Sequence, residues 1–173
     1  MNNTEKWEKA AAFHGHKCGG LAIGFKAVEA LEAHYGAQFA DDEQIVCVSE
    51  NDTCAVDAIQ ALLGCTLGKG SLIYKKRGKM AFTFYFRESG KSVRIYFKAE
   101  NNNLPREEWM NWILEQPAEE LFTFSEAREA LPERARIFRS VKCEFCGEKA
   151  REDLIRLSDG KFVCLDCFKE YDR

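Results

Sequence analysis

Cys143, Cys146, Cys164 and Cys167 form two Cys-x2-Cys pairs separated by 17 residues, within the spacing expected of a four-cysteine zinc site. Zinc takes four soft or borderline donors in a tetrahedron, with Zn–S bonds of ~2.3 Å. Two residues between cysteines allow a tight turn that points both sulfurs at one ion, and Gly147 supplies backbone freedom just after the first pair. Two pairs of redox-active thiols are the weaker alternative, because a redox Cys-x-x-Cys normally occurs singly beside a βαβ unit. A segment of roughly 30 residues is too small to be stable on its own core, so the metal supplies its folding energy.

A second constellation lies near the start of the chain. His14, His16 and Cys18 alternate around Gly15, and in an extended segment alternate side chains share a face and could meet on one ion. Imidazole with thiolate suits zinc, copper, nickel or iron and does not suit magnesium or calcium. Cys54 opens a later helix, where the dipole favours thiolate, and is the preferred additional ligand. Cys65 lies 11 residues further on, about 16 Å along a straight helix, too far to share an ion with Cys54. It could reach the site only if that helix is short or broken, or if another subunit presents it. Asp57, one turn after Cys54, could orient a ligating histidine or move a proton. Lys69, between two glycines, could approach an anion, although Gly68-Lys69-Gly70-Ser71 lacks the spacing of a nucleotide-binding phosphate loop. Cys47 reads as a buried core thiol and His34 as a surface residue.

These residues need elements to hold them. Asn2 and Glu5 have the form of a capping box for a helix over residues 2–13, followed by a polar turn at residues 13–20. Leu21, Phe25, Val28 and Leu31 make one face of a helix over 19–35 that stops at Gly36. Residues 45–49 read as a strand and 54–63 as a helix ended by Gly64. Two alternating segments, with turns at 77–79 and 88–91, read as hairpins, and Pro105 opens a helix that reaches Leu114. Residues 117–140 read as a charged connector. In the C-terminal segment a hairpin turns at Asp159-Gly160, and a helix is expected to start at Cys164. The fold class is α+β: a mixed helix and antiparallel-sheet core domain over 1–138, then a small four-cysteine zinc-finger domain over 139–173.

Composition bounds the function. With 46% hydrophobic and 31% charged residues the chain can bury one real core. A net charge of -3 gives no general attraction to nucleic acid, and the basic run Lys75-Lys76-Arg77 reads as a solvated hairpin tip. The sequence shows neither a secretory signal nor a membrane span, so a cytoplasmic location is expected, where eight cysteines serve as metal ligands rather than disulfides.

The segments Phe13-His14-Gly15-His16-Lys17-Cys18-Gly19-Gly20-Leu21, Asn51-Asp52-Thr53-Cys54-Ala55-Val56-Asp57 and Gly64-Cys65-Thr66-Leu67-Gly68-Lys69-Gly70 resemble the FmdE family, named for formylmethanofuran dehydrogenase. The resemblance spans residues 5 to about 140, and the C-terminal module is similar to the zinc finger that some members append. Gly19 departs from the proline that usually follows the cysteine. The resemblance implies an α+β core, an intertwined homodimer and a metal site near His14, His16 and Cys18; it does not imply formylmethanofuran oxidation. The leading expectation is a metal-binding accessory or regulatory protein. A transition metal, expected to be zinc, sits in its core, and a structural zinc finger contacts a protein partner. A metal-dependent enzyme using the His/Cys site and a zinc-finger nucleic-acid-binding regulator are the alternatives.

Overall fold

The computed structural model describes residues 1–172, which fall into two compact units, Met1–Ala135 and the remainder from Arg136. The first helix, α1 (Asn3–His14), begins where expected. Asn2 Oδ1 accepts from Glu5 N at 2.9 Å while Asn2 N donates to Glu5 Oε2 at 2.9 Å. Gly15, at φ +94, ends it in the left-handed region that favours glycine. Cys18 then caps α2 (Gly19–Tyr35), its sulfur accepting from Leu21 N at 3.3 Å. His14, His16 and Cys18 therefore lie on a helix–turn–helix corner rather than on the extended segment expected.

Strand β1 (Ile45–Ser49), helix α3 (Ala55–Leu63) and strand β2 (Leu72–Tyr74) form one βαβ unit, with β1 and β2 parallel. The other strands, β3 (Ala81–Phe86), β4 (Ser92–Phe97) and β5 (Phe122–Ser125), pair antiparallel, giving the order β2-β1-β3-β4-β5. The turn expected at residues 77–79 does not join a hairpin, because β1 lies between β2 and β3. Residues 117–125 are not a connector either. They form a short helix α5 (Ala118–Leu121) and the edge strand β5, with Leu121 and Phe122 buried. Helix α4 (Arg106–Glu115) precedes them. The scattered apolar residues of that stretch belong to the core, a role that a local hydrophobic pattern this short cannot announce.

Strand β1 is buried on both faces. Ile45 and Cys47 join the large core with α1–α3, whereas Val46 and Val48 meet Tyr85 on the other face, with Ala127 packed against them. The tightest packing lies between α2 and α3. A Cβ on Gly24 would stand 2.1 Å from the Ala55 carbonyl oxygen, so the two helices meet backbone to backbone.

The second unit holds two hairpins, β6 (Ser140–Lys142) with β7 (Lys149–Arg151), and β8 (Arg156–Ser158) with β9 (Lys161–Val163). Asp159 and Gly160, at φ +50 and +77, make the expected turn of the second hairpin. The helix expected from Cys164 is absent. A single turn closes there, Phe168 N donating to Cys164 O at 2.9 Å, and no helix follows through residue 172.

Gly24→Ala is expected to cost about 3 kcal/mol, since overpacking that only backbone movement can relieve sits at the upper end of its usual range. Urea denaturation read by the fluorescence of the partly buried Trp7, Trp109 and Trp112 should show it. A midpoint equal to wild type would mean that α2 and α3 are not in this contact.

Candidate metal centres

In the second unit the sulfurs of Cys143, Cys146, Cys164 and Cys167 all lie within 4.8 Å of one another. The Sγ atoms of Cys146 and Cys164 are 3.8 Å apart. Two sulfurs on one tetrahedral zinc with bonds of ~2.3 Å stand about 3.8 Å apart, so this spacing fits the ion. Backbone amides converge on the same sulfurs: Phe145 N and Cys164 N each point at Cys143 Sγ at 3.4 Å. The amides of Cys164 and Cys146 hold the Cys143 thiol down at about 6. Hydrogen bonding with Cys164, together with burial, pushes Cys167 up to about 12. Four crowded sulfurs cannot all be anionic without a cation among them, which is the condition zinc removes.

In the first unit, three elements deliver one donor group each. His14 is the last residue of α1, Cys18 caps α2, and Cys54 sits at the N-terminus of α3, just outside the carboxyl end of β1. His14, His16 and Cys18 bring a nitrogen or sulfur within 4.8 Å of one another. His14 Nδ1 lies 2.7 Å from Asp57 Oδ2. A carboxylate can only accept, so Nδ1 carries the proton and Nε2 keeps its lone pair for an ion. That Nε2 is 3.8 Å from Cys18 Sγ. On a tetrahedral zinc with N and S bonds of about 2.0 and 2.3 Å, the two atoms would stand about 3.5 Å apart. His14, His16 and Cys18 thus fit a single ion, and Cys54 is not among the residues whose donor atoms lie within 4.8 Å of one another.

Cys54 stands beside Cys18. The point where a Cβ on Gly20 would lie is 3.1 Å from Cys54 Cβ, 3.6 Å from Cys54 Sγ and 3.9 Å from Cys18 Sγ, so a side chain there would crowd Cys54. Burial, then hydrogen bonding with Cys18, pushes the Cys54 thiol up. The loop before it is tightly braced: Asn51 Nδ2 donates to Lys79 O at 3.0 Å, and Thr53 Oγ1 donates to Asn51 Oδ1 at 2.8 Å. Gln60, one turn after Asp57, donates to Asp57 Oδ1 at 3.2 Å and holds the carboxylate against His14. Gln60 was not singled out from the sequence, although its i+3 spacing from Asp57 was the available signal.

Two residues considered for this site stand elsewhere. Cys65 is fully buried, its thiol donates to Ile45 O at 3.4 Å, and burial pushes it up to about 12. Lys69 Nζ donates to Ala40 O at 2.8 Å and to Asp41 O at 3.2 Å. Cys47 is buried in the core as expected.

The centre is reachable from solvent on two sides. An open cavity of about 390 Å³ is lined by His14, Cys54, Asp57, Asp52 and Tyr74. Another, of about 830 Å³, is lined by His16, Cys18, Met80, Trp109 and Met110. No helix among the described residues is long and apolar enough to cross a membrane.

Asp57→Ala is expected to weaken core metal affinity about 10- to 100-fold, the usual effect of removing a carboxylate that orients a ligating histidine. Competition with a chromogenic chelator measures it, and an unchanged affinity would detach Asp57 from metal binding. Stripping metal with a strong chelator should abolish hydrogen-exchange protection in β6–β9 while α1–α3 stay protected, because a module of about this size folds only around its ion. Retained protection in β6–β9 would show that the hairpins stand without zinc.

A family model described as FmdE, molybdenum formylmethanofuran dehydrogenase operon, matches residues 13–138, and one for the prokaryotic dksA/traR C4-type zinc finger matches residues 136–173. A probable S-adenosyl-L-methionine-binding protein of Archaeoglobus fulgidus is 35% identical over 94% of this chain. The chain spans about half of that relative's length, 52%. The crystal structure of an FmdE-like protein of the tungsten formylmethanofuran dehydrogenase type, from Syntrophus aciditrophicus, is 25% identical, with a TM-score of 0.66 over 96% of this chain and 92% of that one. An α+β core followed by a four-cysteine module is thus covered by family models over residues 13–173, and the protein belongs to the FmdE family.

Proposed function

We propose that this is a metal-binding accessory or regulatory protein. His14, His16, Cys18 and Cys54 hold a transition metal, zinc by the softness of the donors, and Cys143, Cys146, Cys164 and Cys167 hold a structural zinc. The observation that carries the core site is His14, whose Nδ1 is tied to Asp57 while its Nε2 faces Cys18 Sγ. That is how a ligating imidazole is prepared. The zinc finger docks a protein partner, and the chain works as a cytoplasmic homodimer.

A second reading, a metal-dependent enzyme, is favoured by one observation: cavities open on both the His14–Cys54 side and the His16–Cys18 side of the centre. In that reading Cys54 stands off, and the fourth position of the ion takes water or substrate. The His14–Asp57 pair would then orient the ion and hold a proton at Nδ1.

Metal content per chain, measured by mass spectrometry, tests the leading reading. Wild type should carry two equivalents, and a His16→Ala/Cys18→Ala variant should lose one while keeping the C-terminal zinc. Wild type with a single zinc that the variant retains would remove the core site and leave a zinc-stabilised interaction module.

A further inference from the structure

The larger cavity beside the core centre has a composition that points to a ligand class. Its volume, about 830 Å³, is within the range of small-molecule sites. Carbon dominates much of its wall, through Ile23, Met80, Trp109 and Met110, while His16 and Cys18 bring the metal donors to it. Trp109 is held rigidly. Its ring stacks on Trp112 at 4.9 Å and 9° and meets the edge of Phe97 at 6.4 Å. Its Cδ1 lies 3.2 Å from where a Cβ on Gly19 would stand. A ring fixed from behind is a ready platform that costs a ligand little ordering.

The charged groups on the wall are Lys17, Arg106 and Glu107. Lys17 is already paired, its Nζ 2.5 Å from Glu8 Oε1. Arg106, the first residue of α4, is exposed and makes no ion pair with the described residues. A guanidinium presents a planar fork that matches a carboxylate, and a zinc-type ion accepts a carboxylate oxygen as well.

We propose that this cavity binds a small carboxylic acid with a flat apolar body, its carboxylate shared between Arg106 and the core metal and its body against Trp109. The metal's share in this rests on the core-site reading above; those of Arg106 and Trp109 do not.

Calorimetric titration of the metal-loaded full chain with phenylacetate, acetate and phenylethylammonium tests it. Phenylacetate should bind, with acetate, which lacks the body, and phenylethylammonium, which reverses the charge, at least about tenfold weaker. Arg106→Ala should weaken phenylacetate about tenfold, the scale of a charge-assisted hydrogen bond, with metal content and melting temperature unchanged. Trp109→Ala should weaken it too, and Trp109→Phe should restore part of the loss. Equal binding of all three probes, or no binding of phenylacetate to a chain that carries its core metal, overturns the proposal and leaves the metal reading standing. Arg106-dependent binding to a chain without a core metal supports the cavity and removes the metal reading. Absence of phenylacetate binding together with a dimer that Trp109→Arg dissociates assigns the cavity to a second copy of the chain, which also overturns it.

Discussion

The close approach of α2 and α3 is the constraint on which the core centre depends. Gly24 lies against the Ala55 carbonyl, with no room for a single added carbon, and Gly20 lies against Cys54 at the other end of the same contact. Two helix starts are thereby brought side by side, one carrying Cys18 and the other Cys54. Helix α1 ends at His14 next to both, and Asp57 on α3 reaches it. The donor cluster follows from helix packing. A larger residue at Gly24 would push the helices apart and separate Cys18 from Cys54 without touching either sulfur.

Electrostatics explains why four crowded sulfurs call for an ion. Sulfurs placed at hydrogen-bonding distance share protons and resist joint ionisation: burial and then Cys18 raise the Cys54 thiol, and Cys164 with burial raises Cys167, while backbone amides lower Cys143. A divalent cation replaces those protons and turns mutual repulsion into shared coordination. The two centres differ in what surrounds them. Backbone amides and hairpin turns close around the four sulfurs of the second unit, as befits an ion whose work is folding. The core centre is braced by side chains, Gln60 to Asp57 to His14, and is open to two cavities.

The sheet plays a supporting part with one consequence for the site. Its βαβ unit makes α3 the crossover between β1 and β2, so Cys54 emerges just beyond the carboxyl end of a strand buried on both faces. Ligand sites recur at that position in α/β structures because the strand fixes the start of the loop that follows. Here the loop is further tied by Asn51 to Lys79, two residues before β3. The position of Cys54 is thus inherited from a strand buried along its whole length.

Local chemistry determined much of this protein in the sequence itself. The two Cys-x2-Cys pairs, the His14-Gly15-His16-Lys17-Cys18 turn, the capping box at Asn2 and Glu5, and the Asp57 spacing after Cys54 are short-range patterns whose geometry is set within a few residues. Tertiary structure decided what no local pattern contains. It placed β1 between β2 and β3, drew residues 117–125 into the core, and ended the second cysteine pair in a single turn instead of a helix. It set Cys54 beside Cys18, and it sent Cys65 and Lys69 to other partners. The physical reason is that a donor's type and spacing are written along the chain. Which donors meet is decided by how closely two helices can pack, and that depends on atoms far apart in sequence.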